Sequence, residues 1–571
     1  MIDRKYIPIN MKEPYNRNLF LKDLIAAITL FVMLVPQGMA YAMLAGLPPV
    51  MGLYASTLPL VIYALFASSR HLSVGPTAIT SLLVFSGISA VGQPGTPEYV
   101  TLVILLALLV GIFQFLFGVF KLGFIVRFIS PSVLSGYTSA AAIIIALSQL
   151  KNLLGIEVGN YFQVHLLLND AVKGMMDLHW ITFFIGIGSI IFLVGMKKLN
   201  PRIPAALLLI LFSIVVVYRF RLDQLGVNIV GMVPSGFPSL VFPTLTLGAV
   251  QQIILPALTI ALLGFMESLA IGKSIADKEK YKINPNRELK ALGFANMFGS
   301  FFQILPINGS FSRSAVNHQS GGATQMVSIF TGGFILLTLL MFTSYFYYLP
   351  TAVLAAIIIV AVYKLIDLKQ LKNLIKVKRV DGWSWFVTFL VTLFIGIQWG
   401  ILIGAIFSFF LLLSRMFRPN IIEVGYLEKE KVFRDVKRFP QARTQDDVII
   451  LRVDSSIHFA NIYYLEEKLM DFIRLKPNAK LVIIDFSGVN DMDASAFTVL
   501  EELHDRLKQE NNLDIYIVGM KGPVRDTANK AGWNKRYEKK IGFFTIEQLL
   551  EHKKIDLTSV NEEELPFIYM I

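Results

Sequence analysis

Before Arg415 the chain holds a succession of apolar runs, each about as long as a membrane is thick. A helix needs about 20 apolar residues to cross the hydrocarbon core. Runs of that length begin near Leu24, Val50, Thr101, Ser132, Trp180, Ile203, Gln251, Thr324, Thr351 and Trp383. The last continues to Leu413, long enough for two short passes, and divides at Gly396-Ile397-Gln398-Trp399-Gly400. Three shorter segments, interrupted by Gly or Pro, lie near residues 75–91, 290–305 and 310–320. Counting them gives fourteen membrane segments, whereas hydropathy alone allows twelve. Composition agrees: 55% of the 571 residues are hydrophobic and only 16% are charged, against roughly a quarter charged in an average soluble protein. A soluble globule of this composition would expose too much apolar surface. A wholly soluble protein, a disordered chain and a nucleic-acid binder are therefore excluded, despite a net charge of +12. The absence of cysteine excludes disulfides, cysteine-ligated zinc, iron–sulfur clusters and a thiol nucleophile. The first 20 residues are polar, so no cleaved signal peptide is expected.

The charge separates into two parts. Residues 1–415 carry 29 Lys/Arg against 14 Asp/Glu, a net of +15, and residues 416–571 carry 23 against 26, a net of −3. With an even number of spans and both termini inside, 24 of the 29 basic residues fall in cytoplasmic loops, Arg127 and Arg202 among them. Positive-inside sorting predicts this asymmetry. The expected domains are a cytoplasmic segment 1–23, a membrane domain 24–415, a linker 416–439, a soluble domain 440–555 and a tail 556–571. In the soluble part, Val448–Val453, Leu481–Phe486 and Leu513–Val518 read as strands, with helical patterns at Leu465–Phe472 and Ala496–Leu507. Alternation of this kind predicts a small βαβ-type sheet.

Two broken membrane segments attract attention. One is Ser73-Val74-Gly75-Pro76-Thr77-Ala78; the other is Asn308-Gly309-Ser310-Phe311-Ser312-Arg313-Ser314-Ala315. They occupy similar positions in the two parts of the membrane region. Transporters with inverted repeats use such pairs as discontinuous helices that meet at the midplane. A helix start carries unsatisfied N–H groups and partial positive charge, so two facing starts form an anion site. Hydroxyls add donors and Arg313 adds a full charge. The alternative is packing glycines and helix caps.

Glu267, inside Leu255–Ile271, is the only acidic residue well within an apolar run. Intramembrane carboxylates are costly, which marks them as functional candidates. It can carry a proton, ligate Na⁺ or pair with Arg313; a helix end close to water is the plainer reading. Gln37 and Tyr41 follow Pro36, which breaks the backbone ladder; they either face a pocket or fill a kink. His71 and His318 suit loop or helix-end roles better than metal binding, because no ligand stands at metal spacing. No phosphate loop, triad or paired-carboxylate motif is convincing, and no ATP-binding motif is present. An enzyme is not expected, and any transport is secondary.

Residues 23–82 and 266–325 closely resemble the two signature regions of the sulfate permease family of anion transporters, and the tail resembles its STAS domain. The resemblance implies an all-α polytopic membrane domain, a 7+7 inverted repeat with core and gate domains, plus a small cytoplasmic α/β STAS domain. It implies no cofactor, a homodimer in the plasma membrane and an elevator-like movement of the core. It places the anion between Gly75–Ala78 and Ser310–Ser314, with Gln37 and Tyr41 contributing from the first segment. Thr77 stands where some animal relatives have Phe, giving a more polar pocket. Bacterial relatives have a carboxylate matching Glu267, which implies symport with H⁺ or Na⁺. Ser495, in Asp491-Met492-Asp493-Ala494-Ser495-Ala496, matches the phosphorylatable serine of anti-sigma antagonists, although its neighbours differ. An ordinary strand-to-helix loop with a capping serine is the simpler reading there.

The expected function is uptake of a small inorganic anion, sulfate foremost, by H⁺ or Na⁺ symport. The substrate-binding residues are Gln37, Tyr41, Gly75, Thr77, Ala78, Ser310, Ser312, Arg313 and Ser314, with Glu267 coupling and, more weakly, Ser495 regulating. No metal is expected, apart from Na⁺ near Glu267. The alternatives are bicarbonate transport, chloride/bicarbonate exchange, C4-dicarboxylate uptake and a membrane-anchored STAS signalling protein.

Overall fold

The computed structural model describes residues 15–124, 130–159, 161, 163–199, 205–243, 246–511 and 513–555. Arg127, Arg202, most of the 1–23 segment and the 556–571 tail lie outside these residues. The chain divides into two compact units, Met1–Phe409 and Phe410–Ile571.

The membrane helices are α1 (Arg17–Leu44), α2 (Pro49–Phe66), α3 (Ala78–Ile88), α4 (Pro97–Val119), α5 (Pro131–Leu154), α6 (Trp180–Leu199) and α7 (Ala205–Phe220). They continue as α8 (Leu247–Lys278), α9 (Pro285–Ser300), α10 (Phe311–Gln319), α11 (Met326–Met341), α12 (Thr351–Val362), α13 (Arg379–Phe394) and α14 (Ile397–Phe417). Among the described residues, seven helices are long and apolar enough to cross a membrane unaided. The short α3, α9 and α10 are the three interrupted segments of the sequence. Small residues let the helices approach closely, as membrane packing favours. A Cβ on Gly111 of α4 would lie 2.5 Å from the Met297 backbone nitrogen of α9, and one on Gly293 of α9 would lie 2.6 Å from the Phe115 nitrogen.

Ahead of α3 and α10 the chain runs extended. These residues pair as two short antiparallel strands, β1 (Val74–Gly75) and β2 (Asn308–Gly309), with Val74 opposite Gly309 and Gly75 opposite Asn308. Backbone groups with no helix to satisfy them thus satisfy each other, as they must inside a membrane. The Ser310 N–H adds one more bond to the Ser73 carbonyl, at 2.9 Å.

A buried carboxylate holds the approach to β1. Glu288 of α9 accepts from the Ser68 N–H and Oγ, each at 2.6 Å, the Ser69 N–H at 2.7 Å and the Tyr63 hydroxyl at 2.6 Å. Removing an acceptor that satisfies several buried donors costs about 3–5 kcal/mol. Glu288→Ala is therefore expected to lower the thermal unfolding midpoint of the detergent-solubilised protein well below that of Glu288→Gln, which keeps an oxygen at the site. Equal midpoints for the two variants would contradict this role.

The second unit carries a five-stranded sheet in the order β4-β3-β5-β6-β7. Its strands are β3 (Ile421–Leu427), β4 (Val432–Asp435), β5 (Val448–Val453), β6 (Leu481–Asp485) and β7 (Asp514–Val518). The last three are parallel neighbours, and β3 runs antiparallel to β4 and β5. Side chains alternate across the sheet. Ile449, Leu451, Val482 and Ile484 pack with α15 (Ile462–Leu475) and α16 (Ala494–Asn511), whereas Val448, Ile450, Leu481 and Ile483 face the other core. Residues 421–435, expected in a linker, form a hairpin of this sheet. The alternating Ile421–Leu427 is a strand, and the charged run Glu428–Lys431 makes its turn.

Candidate anion site

β1 and β2 bring the starts of α3 and α10 to one place. Arg313, in the first turn of α10, is fully buried. Its Nη1 donates to the Pro76 carbonyl at 2.8 Å. Its Nε and Nη2 have no partner in the protein. Gly75 makes room for it: a Cβ there would lie 3.2 Å from Arg313 Nη2, and its φ of +142° lies in the region that favours glycine. The guanidinium is thus pinned to the first broken segment by one nitrogen and offers two donors elsewhere.

The two helix starts differ. Thr77 caps α3; its Oγ1 accepts from the Thr80 N–H at 3.3 Å and donates to Thr80 Oγ1 at 2.9 Å. Ser310 makes no such cap to α10, so that end keeps more of its unsatisfied N–H character. Ser310 Oγ lies 3.4 Å from Ser312 Oγ, with Ser310 buried and Ser312 exposed. Ala78 is buried at the start of α3. Ser314 Oγ accepts the Ser73 N–H at 2.9 Å, so this hydroxyl holds the other segment in place while keeping its own O–H to donate.

Gln37 and Tyr41 sit one turn apart on α1, both buried, and the Gln37 Oε1 has no protein partner. Glu267 of α8 is partly exposed. Tyr41 of α1, Arg313 of α10 and Glu267 of α8 are electrostatic neighbours. Among the described residues no ion pair joins Glu267 to Arg313.

Sequence reasoning missed the support of this site. Asn308 of β2 joins three helices. Its Nδ2 donates to Thr80 Oγ1 at 3.0 Å, and its Oδ1 accepts from Gln114 Nε2 of α4 at 3.2 Å. Gln114 Oε1 in turn accepts from Asn296 Nδ2 of α9 at 2.9 Å. The Asn308 side chain also occupies the space a Cβ on Gly264 would need, one turn before Glu267 on α8. The Gly309 N–H then reaches Ser268 Oγ of α8 at 2.8 Å. A lone amide such as Gln114 within an apolar run was the signal available. Tyr137 of α5 was missed too; it is fully buried and its hydroxyl has no partner.

His71 and His318 lie edge to face, 5.4 Å between ring centres, and His318 Nε2 sits 2.7 Å from Glu279 Oε1. Among the described residues no group of three metal-ligating side chains forms. Ser495 is exposed in the first turn of α16, and the cap there is Asp493, whose Oδ1 accepts the Ala496 N–H at 2.8 Å.

The comparisons with known proteins agree with this architecture. The profile of the sulfate permease family matches residues 20–388, and that of the STAS domain matches residues 439–544. The chain is 37% identical to the chloroplastic sulfate transporter 4.1 of Arabidopsis thaliana over 507 residues, covering 86% of this chain and 74% of that protein. It is 32% identical to the low affinity sulfate transporter 3 of Stylosanthes hamata, covering 94% and 88%. Among solved structures, that of SLC26A9 superposes with a TM-score of 0.84 at 25% identity, covering 95% of this chain and 91% of that one. The transmembrane domain of the cyanobacterial bicarbonate transporter BicA shares the fold with a TM-score of 0.60 at 22% identity, covering 69% and 98%.

Proposed function

Because the chain belongs to the sulfate permease family, a family of transporters rather than enzymes, we propose that it takes up sulfate by symport with H⁺ or Na⁺. The observation that carries the anion site is Arg313, a fully buried guanidinium with two unpartnered donors beside two helix starts. A buried charge left without partners is costly, and a tetrahedral dianion supplies acceptors for both donors at once. Arg313, the first-turn N–H groups of α10 and the Ser310 hydroxyl hold the anion, with Gln37, Tyr41, Gly75, Thr77, Ala78 and Ser312 shaping the pocket around it. Ser314 positions the first broken segment through its acceptor side and keeps its own O–H for the anion.

Glu267 links the anion to the cation. An unpaired carboxylate is expensive to carry through a bilayer, so it crosses with a proton or Na⁺ bound. The core, built around β1 and β2, moves as one body in an elevator-like step against the remaining helices of a homodimer. The membrane is the plasma membrane, with the STAS domain on its cytoplasmic side. Phosphorylation at Ser495 is a weaker proposal, resting on its exposure and its place in the loop.

The test is uptake of labelled sulfate into proteoliposomes with and without an imposed pH or Na⁺ gradient. Uptake above equilibrium in the presence of one gradient, and not of the other, is the expected result. Flux indifferent to both gradients would refute coupling. Competition with bicarbonate, chloride and succinate identifies the anion; inhibition by bicarbonate without sulfate transport would assign the site to bicarbonate.

A further inference from the structure

A short helix, Leu368–Val377, joins α12 to α13 and supplies nothing to the proposed anion or coupling sites. Its sequence, Leu-Lys-Gln-Leu-Lys-Asn-Leu-Ile-Lys-Val, sets apolar residues at helical spacing. Asp367 caps it: Oδ1 accepts the Gln370 N–H at 3.0 Å, and the Asp367 N–H donates to Ser139 Oγ of α5 at 3.1 Å. The helix packs on α5 and α13, yet no residue of it is fully buried. At about 100° per residue, Leu371 and Leu374 share the half-buried face. Ile375 stands at the edge of that face; a Cβ on Gly382 of α13 would lie 2.6 Å from its Cγ1. Leu368 and Ile375 remain 54% and 49% exposed. Beside this apolar edge, Lys369, Lys372 and Lys376 fall within an arc of about 60°, and all are exposed. Among the described residues no carboxylate pairs with any of them.

The surroundings place this face at the edge of the bilayer. Tyr363 follows α12 directly and Trp383 stands in the second turn of α13; both are exposed. Tyr and Trp gather where hydrocarbon meets water, and the helix runs between these two. Lys378 alone separates it from α13, so the chain has no slack to lift it away. Positive-inside sorting puts this connection on the cytoplasmic face, whose leaflet carries a negative surface potential. We propose that the exposed face of Leu368–Val377 is a docking site for an anionic glycerophospholipid. Its acyl chains cover Leu368 and Ile375, and Lys369, Lys372 and Lys376 hold its phosphate. The lysine stems follow the apolar edge outward while their ammonium groups stay at headgroup level. Three unpaired cations in one arc favour an anionic headgroup over a zwitterionic one. A soluble acidic partner would satisfy the lysines but leave the apolar edge uncovered.

Trp383, next to Gly382 in the contact with Ile375, reports on the lipid at this face. The full-length protein is reconstituted in phosphatidylcholine vesicles containing a minor fraction of brominated phosphatidylglycerol or brominated phosphatidylcholine. Bromine quenches tryptophan at contact, and subtracting the fluorescence of Trp383→Phe isolates the signal of Trp383. Quenching is expected to favour phosphatidylglycerol by about fivefold in relative affinity, the share of one surface lysine, and to lose that preference in about 1 M salt. Combining Lys369→Gln, Lys372→Gln and Lys376→Gln is expected to make the two lipids equal. Combining Lys278→Gln, Lys280→Gln and Lys282→Gln removes the same charge from the connection between α8 and α9, and is expected to leave the preference intact. Equal quenching by both lipids in the wild type would overturn the proposal. So would a preference that survives loss of the three helix lysines, or one that falls equally in the α8–α9 variant. Quenching by neither lipid would mean that protein covers the face, a second copy or a soluble partner, and would also overturn it.

Discussion

Arg313→Met is expected to reduce sulfate uptake by about 10²- to 10³-fold while leaving the protein folded. The two effects have different causes and are separable. Methionine has nearly the volume of the arginine stem and fills the same buried space. Replacing buried charges by apolar residues of similar volume is often neutral or stabilising by about 1–4 kcal/mol. Here the guanidinium makes one bond, to the Pro76 carbonyl, and leaves two donors unpartnered, so the fold loses little. The bound anion loses a full positive charge and two charge-assisted hydrogen bonds, about 3–4 kcal/mol together. Arg313→Lys keeps the charge but not the fork of donors, and is expected to fall between Met and wild type. Uptake kinetics and thermal unfolding of the same preparations decide the matter. An Arg313→Met protein that transports at the wild-type rate would remove the residue from the site. One that unfolds early would make it a structural cation.

The contrast between Arg313 and Asn308 shows what the sequence could and could not disclose. Arg313 was legible because a charged residue in an apolar stretch has few inexpensive explanations. Glu267 was legible for the same reason. The paired breaks at Gly75 and Gly309 pointed to half-helices, because glycine and proline interrupt helices in a recognisable way. Their pairing as strands was not legible, since two-residue strands have no periodicity to read. Asn308 looked like one more polar residue near a break. Its importance lies in neighbours nearly two hundred positions away, Gln114 above all, and single-sequence patterns carry no such distances. Ser314 has a contact that spacing did not disclose: its hydroxyl accepts the Ser73 N–H of the other broken segment. The β3–β4 hairpin was hidden because charged residues at its turn resemble those of a linker.

Glu267→Gln is expected to abolish uptake above equilibrium while leaving some passive exchange of the anion. Sulfate is a dianion, and the inside of a respiring cell is negative. Moving two negative charges inward against about 100 mV costs about 4.6 kcal/mol, so without a coupled cation the anion would come to equilibrium far below its outside concentration. In the proposed mechanism Glu267 ties cation to anion: it lies near Arg313 without forming an ion pair with it. With the anion bound and Glu267 ionised, the pocket carries two negative charges in excess: the dianion contributes two, the carboxylate one, and the guanidinium cancels one. A proton or Na⁺ at Glu267 removes one of them. Less charge then enters the low-dielectric path, where each unpaired charge is costly. Glutamine keeps the shape of glutamate and is permanently neutral. Anion affinity should therefore survive, and the need for the cation should disappear. Counterflow of labelled against unlabelled sulfate measures the surviving exchange, and a pH or Na⁺ jump measures the lost drive. Undiminished accumulation by Glu267→Gln under the gradient that drives the wild type would take the carboxylate out of the mechanism. Loss of both counterflow and accumulation would place it in anion binding, alongside Arg313.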